Sequence, residues 1–228
     1  MAKEVRKARL PGRLMLLLAG TELATLGITL TTVSGLGTTP ISTVPYVLSQ
    51  ITPLTFGTTT FLLNVLFVIG QILLLRRHFL WHNLLQIPAV LVFGACIDLN
   101  MHFLMPHAPE SWAAGLAVSL LGNAVLAAGI VCQIRSKTIV QPGEGIVLAA
   151  ATVLRKPFGN VKIANDLMLV LLAAAISWYF LHAFAGLREG TLVSAVCVGL
   201  FVKAIGRMVP EKATQEPHEI ALDETSQR

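Results

Sequence analysis

The chain has 228 residues, of which 54% are hydrophobic and 13% charged, with a formal net charge of +5 and a mean hydropathy of +0.72. Too few charged side chains are present to clothe a water-soluble domain of this size, so a soluble fold is excluded. The excess of positive charge, without a basic–aromatic surface pattern, reads as cytoplasmic anchoring near anionic lipid rather than nucleic-acid binding.

A hydrocarbon core of roughly 30 Å takes about 20 helical residues to cross. Six apolar runs reach that length: Leu14–Val33, Phe56–Leu75, Leu84–Met105, Ala113–Ile134, Ile163–Phe184 and Thr191–Val209. The first follows a basic stretch (Lys3, Arg6, Lys7, Arg9, Arg13). Its Glu22, its Thr-rich second half and the lack of a small-residue cleavage site predict a first membrane span, not a secretory signal. Between the first and second runs lies PISTVPYVLSQI, Pro40–Ile51, and between the fourth and fifth lies GEGIVLAAATVL, Gly143–Leu154. Each is apolar, about a dozen residues long and bracketed by Pro and Gly, too short to span; interfacial and re-entrant placements both fit. The tail from Pro210 to Arg228 is polar and acidic, without apolar periodicity, and is expected to be disordered.

All but one of the 17 Lys and Arg residues fall on one side of this arrangement; the exception is Arg188. The positive-inside rule therefore puts both termini in the cytoplasm, in a bacterial inner membrane. Chain organisation follows: residues 1–13 as a basic cytoplasmic start, 14–105 and 106–209 as two three-span units, and 210–228 as a cytoplasmic tail.

The two units share a pattern at an offset of 102 positions. Gly20 meets Gly122, Gly27-Ile28 meets Gly129-Ile130, Pro40 meets Pro142, Phe56-Gly57 meets Phe158-Gly159, and Asn64 meets Asp166. Paired Gly and Pro carry weight because they mark backbone geometry and close helix approach. Each unit reads span, short helix, span, span, and three crossings turn the second unit upside down. The fold class expected is an all-α polytopic membrane protein built from two inverted three-helix repeats, each with a short apolar helix after its first span. Such repeats recur in transporters.

The stretches GLGTTPISTVPYVLSQITPLTFGTTTFLLNVLFVIGQILLLRR, LLQIPAVLVFGACID and GTLVSAVCVGLFVK resemble the YczE/YyaS/YitT-like bacterial integral membrane proteins. The resemblance runs from about Gly20 to Lys203. It implies a membrane location and this architecture, and no substrate. The polar position that such proteins carry after the second short helix corresponds here to Asn165-Asp166. Gly143-Glu144-Gly145 departs from the Gly-Pro-Arg-Asp-like stretch of those proteins.

Ionisable groups inside a span cost about 2.5–3.5 kcal/mol at its centre, so each needs a reason. Glu22 lies eight residues past Leu14, and Asp166 eight past Phe158, about 12 Å along a helix in each case. Asn64, the repeat mate of Asp166, lies as deep from the opposite edge. The candidate substrate- or ion-binding residues are Glu22, Asn64, Asp98, Asn165 and Asp166. Two readings stand: a polar chamber whose carboxylates exchange a proton or bind a cation, or interhelical hydrogen bonding by protonated acids. Asn123, beside Gly115, Ser119 and Gly122, reads as close helix packing. The starts of the short helices, at Ser42-Thr43 and Gly143–Gly145, would favour an anionic group, which Glu144 opposes.

Cys96, Cys132 and Cys197 all fall within spans, without CxxC spacing, and read as packing residues. No HExxH, GxSxG or phosphate-loop motif is present, so no enzyme, cofactor or metal is expected. The function expected is a small secondary transporter or permease of unknown substrate, proton- or cation-coupled. The alternatives are a substrate-binding subunit of a larger transport complex, or a structural or regulatory membrane protein. The partners expected are the lipid bilayer and an unidentified small molecule or ion, with a homo-oligomer left open.

Overall fold

A computed structural model describes residues 10–208. Lys3, Arg6, Lys7 and Arg9 of the basic start, and the acidic tail from 210 to 228, lie outside the described residues. Within them all regular secondary structure is helical. The α-helices are α1 (Leu10–Val33), α2 (Pro40–Ile51), α3 (Phe56–Leu75), α4 (Gln86–Leu104), α5 (Trp112–Ser136), α6 (Pro142–Leu154), α7 (Phe158–Leu181) and α8 (Glu189–Met208). Six of these, all but α2 and α6, are long and apolar enough to cross a membrane. The protein is a multi-pass membrane protein by that criterion. Exposed apolar stripes suit contact with lipid: Leu62, Leu66, Ile69 and Leu73 recur at helical spacing on α3 and are all exposed. Ile163, Leu167 and Leu171 do the same on α7.

Local chemistry sets the helix ends. Thr55 and Ser111 accept backbone N–H groups of the first turns of α3 and α5, at 3.1 and 3.2 Å. Pro40 and Pro142 open the short helices, where a missing N–H costs nothing. Lys137 and Arg155 close α5 and α6 in the left-handed conformation, which puts a cation at a negative helix end. Most buried hydroxyls of α1 and the turn after it are accommodated by bonding back to nearby carbonyls. Thr25, Thr29, Thr31, Thr32 and Ser34 each donate to a carbonyl three or four residues earlier, at 2.6–2.9 Å.

The core is the α1–α5 seam, in which the two helices run antiparallel along their whole length. Arg13 at the start of α1 reaches the carbonyls of Ser136 and Lys137 at the end of α5. Ser34, just past the end of α1, touches Gly115 near the start of α5. Between these points four glycines let the backbones meet. A Cβ on Gly27 would lie 2.6 Å from Leu126 Cα, and one on Gly129 would lie 2.8 Å from Ala24 Cα. A Cβ on Gly20 would lie 2.9 Å from the Gly129 carbonyl, and one on Gly122 would lie 2.9 Å from the Gly27 carbonyl. Each contact has a counterpart 102 positions away.

The remaining packing repeats that reciprocity. α4 packs on α1 and α8 on α5; α2 packs on α3 and α6 on α7; α6 also packs on α3, and α2 on α7. Each short helix thus lies between the same two spans. The halves also differ: α4 packs closely on α3, whereas α8 makes no comparable contact with α7.

Candidate functional site

The short helices are part of the interior. Ser42, Thr43, Val44, Pro45 and Val47 of α2 are buried, as are Gly143, Gly145, Val147 and Ala149 of α6. Their first turns abut: Gly143 leaves no room for a Cβ against Ile41 Cδ1, and Phe67 of α3 lies beside the same point. Phe67 is eleven residues into α3, about 16 Å along it, close to mid-depth. Around this contact Val44, Val47, Phe67, Leu169 and Ala173 form an apolar block, with Ile41 and Ile146 against it.

Polar groups lie on both sides of the block. Towards the start of α3 is an open cavity of about 350 Å³, lined by Tyr46, Gln50, Phe56, Asp98, Met101 and His102 among others. Tyr46 and Phe56 meet edge to face there, with ring centroids 5.5 Å apart. Towards the other end, one turn past Phe67, Gln71 is buried and donates from Nε2 to Gln86 Oε1 and to the Pro142 carbonyl, both at 3.2 Å. Its amide fills the space that a side chain at position 145 would need. Lys162 Nζ donates to both oxygens of Asp166 at 2.7 Å, one helical turn apart on α7. Glu144, from the first turn of α6, faces both members of that pair.

The structure does not gather the five sequence candidates into one chamber. Asp98 lines the cavity, and its two oxygens accept from Thr55 Oγ1 at 2.6 Å and Gly57 N at 2.7 Å. It therefore holds the start of α3 from α4 as well as facing open space. Asp166 belongs to the Lys162–Glu144 group at the other end. Asn165, its neighbour, has a buried side-chain nitrogen with no hydrogen-bond partner. Asn64 is half-buried and donates to the Thr60 carbonyl of its own helix at 2.8 Å. Glu22 stands apart on the α1–α4 face and is exposed. Its Oε1 accepts from Asn100 Nδ2 at 3.1 Å, and Asn100 also reaches Thr25 Oγ1 at 3.3 Å. The Cys96 thiol adjoins it. No group of three or more His, Cys, Asp or Glu suited to a metal occurs among the described residues.

Sequence reasoning missed Gln71 and Gln86, which look like ordinary polar flanks of apolar runs. Their shared signal is a glutamine near the facing ends of two consecutive spans. It also missed Asn100 as the partner of Glu22 and Lys162 as that of Asp166. The latter was legible in principle, because opposite charges four apart on a helix face one another.

The model of one family, described as "Family of unknown function (DUF6198)", matches residues 11–207, and the chain belongs to that family. The match carries no substrate and does not bear on the resemblance to YczE/YyaS/YitT-like proteins. No curated protein and no solved structure matches the chain.

Proposed function

We propose that this chain is a small permease of the bacterial inner membrane, with both termini cytoplasmic and two three-span halves inverted relative to one another. The observation that carries the reading is the pair of short helices. They enter between α3 and α7 in reciprocal fashion and abut at Ile41 and Gly143, with an apolar block between a polar mouth and a polar inner group. A solute path closed at mid-depth and polar at both ends is what alternating access requires. The antiparallel α1–α5 seam and its reciprocal glycines support the inversion. Half-helices that stop inside a membrane need protein around their free ends, and α3 and α7 supply it. The kinship with YczE/YyaS/YitT-like proteins belongs to this reading, as does the absence of a catalytic step or cofactor.

Coupling to protons or cations is assigned to Glu22 and Asp166. Asp166 is held by Lys162, whose Nζ donates to both of its oxygens. The Glu22 carboxylate accepts from the neutral Asn100 amide, with the Cys96 thiol beside it. The test is purified protein in liposomes holding a trapped pH dye, with solute entry followed by light scattering across polyols, amino acids, monocarboxylates and inorganic salts. At least one solute should enter faster than into protein-free vesicles and move protons with it. Glu22→Gln and Asp166→Asn should abolish the proton movement while leaving folded protein in the membrane. Entry equal to that of protein-free vesicles throughout the panel would reject the permease.

A further inference from the structure

α5 and α8, which pack together, carry the least satisfied polar groups among the described residues. Ser119 and Asn123 on α5 are 0% exposed and Ser194 on α8 is 1% exposed. The two hydroxyls and both ends of the Asn123 amide have no hydrogen-bond partner. Thr25, Thr29, Thr31 and Thr32 of α1 turn back on carbonyls of their own helix, whereas these do not. An alanine at position 123 would pack as closely without an unmet amide, so close packing alone leaves the residue types unexplained.

Register brings the three groups together. Gly115 on α5 and Gly190 on α8 both abut Leu36, whose carbonyl also accepts from Gly190 N at 2.8 Å. Ser119 and Ser194 each lie four residues further along, about 6 Å below that point, and Asn123 lies one turn deeper. Leu36 is 3% exposed and sits over the seam. The counterpart seam, α1–α4, carries Glu22, Thr25 and Asn100, which satisfy one another.

We infer that α5 and α8 enclose a polar chamber beneath Leu36, lined by Ser119, Asn123 and Ser194, that takes an uncharged guest able both to donate and to accept hydrogen bonds. The amide offers two donors and an acceptor, each hydroxyl offers both, and none of the three carries a formal charge. Water and a small neutral polar solute share this chemistry. The chamber rests on burial and register, so it stands or falls separately from the permease reading.

The experiment replaces Cys96, Cys132 and Cys197 by Ala and introduces Ser119→Cys, Ser194→Cys or, as the lipid-facing reference, Leu121→Cys. Methyl methanethiosulfonate reacts with the thiolate, which forms only where water reaches. In membranes, the 119 and 194 thiols should react at least tenfold faster than the one at 121, and added Asn123→Leu should return both to the reference rate. Slowing by glycerol would assign a solute as guest, and no slowing would assign water. Rates equal to the reference, or rates indifferent to Asn123→Leu, would overturn the chamber.

Discussion

Gly27 and Gly129 offer the sharpest quantitative test of the α1–α5 seam. In Gly27→Ala the new methyl would lie 2.6 Å from Leu126 Cα, backbone that cannot swing aside. Ordinary carbon contacts lie at about 3.5–4.0 Å, so the helices must part by about 1 Å locally, which forfeits a quarter to a half of each flanking contact. Overpacking of this kind costs about 1–3 kcal/mol. Against that stands a helix-propensity gain of at most about 1 kcal/mol for Gly to Ala. The net expectation is a loss of about 1–2 kcal/mol for Gly27→Ala and a similar loss for Gly129→Ala. Gly199 has nothing within 4 Å of a Cβ, so Gly199→Ala should be neutral or slightly stabilising. Because either methyl separates the same two helices, the double variant should lose less than the sum of the singles. Equilibrium unfolding in mixed micelles, followed by circular dichroism, reads all four. If Gly27→Ala unfolds at the same point as Gly199→Ala, the helices do not meet at these glycines.

Three further outcomes follow from the same geometry. Asp98→Ala frees Gly57 N and Thr55 Oγ1 and should cost roughly 1–2 kcal/mol, with Asp98→Asn losing less, in the same unfolding assay. Gln71→Leu strands the buried Gln86 amide and should cost about 1–3 kcal/mol, whereas Gln71→Leu with Gln86→Leu should recover part of that loss; a strictly additive pair would deny their hydrogen bond. Asp166→Ala breaks a partly exposed pair four residues apart and should change stability by no more than about 0.5 kcal/mol, so any large loss of flux in that variant reports function rather than folding.

The spans were legible because lipid demands long apolar runs, and α3 begins at Phe56 and ends at Leu75 as the run itself does. The short helices were legible through their prolines, Pro40 and Pro142, although their burial between α3 and α7 was not. Hydropathy misplaced the start of α7 at Ile163. Asn160 and Lys162 lower the local average, yet the helix starts at Phe158, directly after Pro157, and Lys162 pairs with Asp166 one turn later. The partners of the candidate residues were harder to read, because sequence distance hides them. Asn100 stands 78 positions from Glu22, and Thr55 and Gly57 stand 43 and 41 from Asp98. Only the packing of α4 against both α1 and α3 brings those groups within reach.

The inverted arrangement of the halves is tested most directly by two equivalent positions just past the short helices, Pro53 and Arg155, both exposed and 102 residues apart. In a variant lacking the native cysteines, Pro53→Cys should react with a membrane-impermeant maleimide added to intact cells, and Arg155→Cys only after the cells are opened. Labelling of both from the same side of the membrane would contradict the account.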